Sequence, residues 1–253
     1  MKDFLQYAYR MIFWRGGYGV HSPFVFDLIT TVIEEHSPYY CYEQLCPIRL
    51  QIQQIPHQVT INNQAMSVKK AMDRYCFTEQ EDQLLFRLAN RFQPKTIYVE
   101  GSDFGLVPLY ITAYSTATTC FVVEQFPSVC AIAQEYIKKY ATASVVLHNS
   151  CATLRDTLEF LPNAFAHSQT MFDFIVLGFS DRLITIQSFK QFLPYVNANS
   201  VMVIAGINSS VENRKMWHTI CTHPKVTVTI DLVRLGVVFF NPALHQKTYK
   251  NIL

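Results

Sequence analysis

The 253-residue sequence is short of the features that would assign it at a glance. Its seven cysteines, at 41, 46, 76, 120, 130, 151 and 221, form no CxxC pair and no Cys/His grouping with zinc spacing, which excludes a zinc ribbon or finger. An odd count without a framework suits reduced thiols and a cytoplasmic protein. Charged residues make up only 16% of the chain and balance to a formal +2, with no basic block beyond pairs such as Lys69-Lys70 and Lys138-Lys139. Electrostatics therefore names no nucleic-acid partner. No apolar run reaches the ~20 residues of a membrane span, because Glu, Gln, Asp or Lys interrupts each one. The amino-terminal stretch also lacks the continuous apolar segment and small-residue cleavage site of a secretory signal. Internal repeats and low-complexity tracts are missing as well. What is present is a chain half of whose residues are hydrophobic, enough for a large core and too apolar for intrinsic disorder.

From Thr78 onward strand-like and helix-like segments alternate, which predicts repeated βαβ units and a parallel sheet covered on both faces. "TEQEDQLLFRLANRF" opens with Thr78 and Glu81, a capping box, and places Leu84, Leu85, Leu88 and Phe92 at helical spacing. Strands are expected at Thr96–Glu100, Thr119–Glu124, Ser144–Leu147, Phe172–Leu177, Ser200–Ala205, Val226–Asp231 and Gly236–Phe240, seven in all. Leu232 to Leu235 is too short a gap for a crossover, so the last two strands must run antiparallel, paired directly or around another strand. Residues 1–75 read differently: helices at Asp3–Trp14 and Phe24–Glu35, then a tract with Pro47, Pro56 and several Gln and Asn that reads as irregular. The expected organisation is an N-terminal helical cap over 1–75 and an α/β domain over 76–253.

In such a sheet the ligand lies at the carboxyl ends of the strands, and the first strand-to-helix turn needs glycine so that backbone can approach it. Gly101 and Gly105 of "TIYVEGSDFGLVPLYI" occupy that turn. Their GxxxG spacing lacks the third glycine of a pyrophosphate-binding fingerprint, which counts against a dinucleotide dehydrogenase. Glu124 closes the next strand, where an acidic side chain can accept hydrogen bonds from both hydroxyls of an adenosine ribose. The bland alternative is a tight turn and a solvated strand end.

The segments "RGGYGVHSPFVFDLIT" (Arg15 to Thr30), "EGSDFG", "FVVEQFPSVCAIAQ" and "HPKVTVTIDLVRLGVVFF" together resemble a bacterial, Bacteroides-type family of class I S-adenosylmethionine-dependent methyltransferases, distantly similar to small-molecule O-methyltransferases. The likeness spans nearly the whole chain, and "GVHSPF" and "TIDL...GVVFF" are its most distinctive pieces. It implies a Rossmann-like fold whose mostly parallel sheet ends in an antiparallel strand, with the N-terminal segment across the mouth of the site. It also implies S-adenosylmethionine bound along Glu100, Gly101, Ser102, Asp103 and Gly105, with the ribose on Glu124 beside Gln125. Asn149 and Ser150 would stand near the adenine amino group, and Leu177 and Gly178 would close the site from the fourth strand.

Departures from the family pattern concern acids. Val99 stands where relatives carry a glutamate, with Glu100 one position on and, by strand alternation, on the other face; Asp103 is the substitute available for the methionine amino group. Leu177, Ala205 and Gly206 replace aspartates that hold magnesium in metal-using O-methyltransferases, so no metal is expected. Two functions follow: metal-independent O-methyl transfer to a small molecule, or a methyltransferase-like partner protein without catalysis. His21 is the candidate general base, with packing beside the helix that Ser22-Pro23 starts as its alternative. Asp181 and Arg182 are placed at the mouth, Asp181 reading better as a helix cap. Trp14, Phe24, Phe26 and Trp217 are offered as aromatic substrate contacts or core. An apolar cap is equally a homodimer contact.

Overall fold

The computed structural model describes residues 16–17, 19–149, 171–178 and 186–253. Helix α1 (Pro23–Leu28) is capped by the Ser22 side chain, has proline in its first turn, and widens into a π-type turn over Ile29–Ile33. Next come α2 (Tyr40–Gln53), the hairpin β1 (Gln58–Ile61) and β2 (Gln64–Ser67), and α3 (Val68–Tyr75). The α/β part contains α4 (Glu79–Phe92), β3 (Thr96–Glu100), α5 (Leu106–Thr112), β4 (Thr119–Glu124), α6 (Pro127–Tyr140), β5 (Ser144–Asn149) and β6 (Phe174–Leu177). It is completed by α7 (Ile186–Phe192), β7 (Val201–Ala205), α8 (Val211–Cys221), β8 (Val228–Asp231), β9 (Leu235–Phe239) and β10 (Lys247–Lys250).

Among the described residues the main sheet has eight strands in the order β10-β8-β9-β7-β6-β3-β4-β5, one more than expected. Of these eight, β9 alone runs against the rest, pairing antiparallel with both β7 and β8, so the short connection does join direct neighbours. Strands β3, β4, β6 and β7 are near-continuous apolar runs, as a parallel sheet buried on both faces requires. One face carries Ile97 and Val99 against α1, α4 and α5; the other carries Tyr98, Phe172 and Leu177 against Phe189, Phe192 and Trp217 of α7 and α8.

Both halves of the α4 capping box are made: Glu81 N–H donates to Thr78 Oγ1 at 3.3 Å, and Thr78 N–H donates to Glu81 Oε2 at 2.7 Å. The amino-terminal part departs most from expectation. Its irregular tract is instead α2, which runs through Pro47, followed by the hairpin and α3. These pack through Leu45, Ile48, Ile52 and Val59 onto Phe86, Leu109 and Ile132, outside α4, α5 and α6. Helix α1, expected in the cap, lies on the sheet itself and shares its core. The helix expected at Asp3–Trp14 lies outside the described residues.

Candidate functional site

Strand order reverses at β3: β4 and β5 extend the sheet to one side, and the chain then returns to place β6 on the other. The connections leave in opposite directions there, opening the crevice that doubly wound sheets use for ligands. Gly101 follows β3 and Gly178 follows β6 on its two sides. Gly178 N–H donates to Glu100 O at 2.8 Å, and a Cβ on Gly178 would fall 2.5 Å from that oxygen, so no side chain fits.

The turn after β3 is built from left-handed backbone. Asp103 (φ 48°) and Phe104 (φ 58°) adopt it next to Gly105 (φ 96°), at a cost of roughly 1–2 kcal/mol for each non-glycine residue. Two contacts hold the turn. Asp103 Oδ2 accepts from Phe77 N–H at 2.7 Å, and the Phe104 ring is buried among α2, α3 and α5. Gly105 rests on α6, where a Cβ would lie 3.2 Å from Ala133 O.

Glu124, 3% exposed, ties this turn to the end of β4. Its Oε2 accepts from Ser102 N–H at 3.0 Å and Ser102 Oγ–H at 2.7 Å, while Oε1 accepts from Phe126 N–H at 3.0 Å. Asn149 Nδ2 donates to Glu124 O at 3.0 Å, joining the end of β5. A carboxylate has about four acceptor positions, and three are used within the chain.

Glu100 is in the opposite condition. Although partly exposed as a residue, its Oε2 is buried and has no hydrogen-bond partner, and loss of water raises its carboxyl to about 7. It shares the sheet face of Tyr98, whose buried hydroxyl is likewise unpartnered, and of Leu177, its neighbour in register. Burial, and then the Glu100 charge, push the Tyr98 hydroxyl well up.

Asp103, the substitute expected for the acid missing at Val99, is buried and turns its carboxyl back to Phe77 N–H. It sits behind the turn with the buried Arg49–Asp82 ion pair, whose guanidinium also donates to Phe77 O at 3.0 Å. Burial raises the carboxyl of Asp82 to about 7 against the pull of Arg49. Burial first, and Asp82 second, raise that of Asp103 well above its ordinary range.

The structure brings Glu100, Gly101, Ser102, Asp103, Gly105, Glu124, Gln125, Asn149, Leu177 and Gly178 to one edge of the sheet, whereas Ser150 lies outside the described residues, as do Trp14, Asp181 and Arg182. Leu177 is buried in the core of the α7 and α8 face, so the closing it offers is apolar. His21 is not over this edge. It is exposed in the approach to α1, whose Phe24 packs edge-on at 5.1 Å against Phe239, the partner of Val201 at the amino end of β7. Trp217 lies over Gly236, where a Cβ would meet its ring at 2.4 Å, so it serves the core.

Sequence reasoning missed Asp231, at the carboxyl end of β8, which accepts from Val233 N–H at 2.8 Å and Asn208 Nδ2 at 3.3 Å. The acid in "TIDL" was the available signal. Arg234, in the next turn, bridges to Glu81 at 2.9 Å. Among the described residues no three His, Cys, Asp or Glu side chains are grouped to hold a metal ion, and no helix is long and apolar enough to cross a membrane.

No protein-family model matches the chain, and no curated protein does. Solved structures do. An O-methyltransferase from Bacillus cereus in complex with SAH aligns over 85% of this chain and 96% of its own, with 12% identity and a TM-score of 0.56. The SAH-bound methyltransferase PaMTH1 of Podospora anserina aligns over 81% and 98%, with 13% identity and a TM-score of 0.55. The O-methyltransferase TomG of Streptomyces achromogenes, involved in tomaymycin synthesis and in complex with SAM, aligns over 79% and 98%, with 14% identity and a TM-score of 0.56. At such identities the likeness is one of architecture: the chain is built on the Rossmann-like fold of these methyltransferases.

Proposed function

We propose that this protein is an S-adenosylmethionine-dependent methyltransferase acting on an oxygen of a small molecule without a metal. The observation that carries the reading is the linked pair at the switch point, the glycine turn 101–105 hydrogen-bonded through Ser102 to the acidic end of β4. The neighbours described above, which carry SAH or SAM on the same fold, support it. They do not favour the rival reading of a partner protein without catalysis.

Glu124 would take the ribose hydroxyls, and the backbone of Gly101 and Ser102 would pass beneath the ligand, where Gly101 has no side chain to obstruct it. When bound, adenosylmethionine supplies an electrophilic methyl group on a sulfonium. Much of the rate of such a displacement comes from positioning, so few reactive side chains are required. A hydroxyl acceptor must still lose a proton. Glu100, raised to about 7 with one oxygen unpaired, is better suited to that task than His21. Leu177, Ala205 and Gly206, at the ends of β6 and β7, bring no side-chain oxygen, which supports chemistry without a divalent ion.

Calorimetric titration with S-adenosylmethionine and S-adenosylhomocysteine tests the reading. Binding weakened about tenfold or more by Glu124→Ala is expected, since each charge-assisted hydrogen bond contributes roughly 1.5–3 kcal/mol. No binding at millimolar ligand overturns the assignment.

A further inference from the structure

A small cluster of charge lies behind the left-handed turn that follows β3, sealed between the α/β part and the amino-terminal layer. Asp103 is 5% exposed, and its Oδ2 accepts from Phe77 N–H at 2.7 Å. On the other side of the same residue, Arg49 of α2 donates to Phe77 O at 3.0 Å and pairs with Asp82, fully buried on α4. The backbone of Phe77 thus joins the turn to a guanidinium carried in from outside the sheet.

The charges in this cluster do not balance. The groups that face Asp103 are Arg49 from α2, Cys76 just after α3, Asp82 from α4 and Glu124 from β4. Helix α6 meets the turn through Ala133 and Ile137, and Tyr110 of α5 directs its hydroxyl at Cys46. Burial first, and Asp103 second, push the Cys76 thiol well up, so it stays neutral. Arg49 is therefore the cation that bears on three carboxyls, and Asp82 already engages it. An ionised Asp103 would be a second buried anion beside Asp82 without a cation of its own, a state the interior disfavours. The pull of Phe77 N–H and of Arg49 only partly opposes this. An uncharged acid still does what the turn needs. Left-handed backbone at Asp103 and Phe104 persists only where the surroundings over-determine it. The buried Phe104 ring supplies the apolar half of that hold, and the Asp103 carboxyl supplies the polar half.

We propose that Asp103 is a positioning residue that works as an uncharged acid, fixing the ligand turn from behind rather than meeting the ligand as an anion. The proposal rests on the reading of residues 101–105 as the ligand turn. Its rival is a carboxylate paired with the ligand's ammonium group, which requires the charge.

The experiment compares Asp103→Asn with Asp103→Ala by calorimetry with S-adenosylhomocysteine at pH 7.5. Asparagine keeps an oxygen for Phe77 N–H, carries no charge and tolerates left-handed backbone, whereas alanine strands the donor. Alanine should weaken binding about tenfold, the scale of one buried hydrogen bond left unmade, and asparagine should recover most of that loss. Asparagine as weak as alanine overturns the proposal, because the charge would then be what the site needs. A second measurement uses no ligand. With its folded value raised, native Asp103 retains a proton that the unfolded chain gives up above 3.8, so wild-type stability falls as pH climbs from there toward the folded value. Asparagine has no such proton to retain. Its melting temperature should gain about 3–5 °C on wild type for each pH unit between pH 5 and pH 7. Melting curves that stay parallel overturn the uncharged acid. The two failures are separable: wild-type protein that binds no S-adenosylhomocysteine overturns the ligand reading, and the melting comparison decides the state of Asp103 in either case.

Discussion

Replacing Glu100 by glutamine isolates the cost of keeping a carboxylate where the structure offers it no partner. The carboxyl is raised from an ordinary 4.5 to about 7 by burial alone, and its Oε2 is unsatisfied. A raised folded-state value means that the native protein holds the proton more tightly than the unfolded chain. The stabilising contribution is therefore complete below 4.5 and is lost as pH rises through 7. At 1.36 kcal/mol per pH unit, the ionised side chain costs roughly 3 kcal/mol at pH 8. Glutamine keeps the shape and removes the charge, but retains a polar group without a partner, which trims the gain to roughly 2 kcal/mol. Thermal unfolding followed by circular dichroism at pH 5 and pH 8 measures it. The two proteins should melt together at pH 5, and the variant should melt about 5 °C higher at pH 8, given about 2–4 °C per kcal/mol for a chain of this size. Methyl transfer should fall in the same variant if Glu100 takes the acceptor's proton. A variant equal to wild type, or less stable, at pH 8 would refute the reasoning, because it would mean that the carboxylate is paired or hydrated in solution.

Two further outcomes follow from the hydrogen bonding. Arg49→Met strands Asp82 in the interior and should cost about 3–5 kcal/mol in urea unfolding at pH 8. Adding Asp82→Asn should restore part of that loss, and a single variant that unfolds like wild type would show that the pair is immaterial. Ser102→Ala should tighten S-adenosylhomocysteine about threefold or more by calorimetry, since it frees an acceptor position on Glu124 for the ribose; weaker binding would instead make the Ser102 hydroxyl part of the ligand's support.

Much of the sheet was legible because its signals are local. Thr78 and Glu81 announce α4 through hydrogen bonds three residues apart, and β3, β4, β6 and β7 are too apolar to be anything but buried strands. The amino-terminal part was misread for a physical reason. Pro47 sits inside α2, where it removes one backbone donor, and apolar packing of Leu45, Ile48 and Ile52 outweighs that loss. The hairpin turns through Asn62-Asn63 with no glycine, and its four-residue strands are too short to show a period. Strand β10 reads "KTYK", polar enough to pass for a loop, and forms because β8 presents it an edge. At the site, the glycine turn and Glu124 could be placed from spacing alone. That Asp103 turns back to Phe77, that Ser102 occupies Glu124, and that Glu100 is left unpaired all depend on side-chain directions in a strained turn, which no spacing encodes.

Strand β9 sets the order in which the molecule can be finished. It is the piece that joins β8 and β10 to β7, yet it comes from residues 235–239, after β8 has been made. During synthesis the all-apolar edge "VMVIA" of β7 has no partner until that segment has emerged, and an apolar edge strand recruits other chains. Ribosomes that stall between residues 205 and 235 hold a product with this edge of β7 open, so closure of this half of the sheet waits on a segment about thirty residues further along the chain.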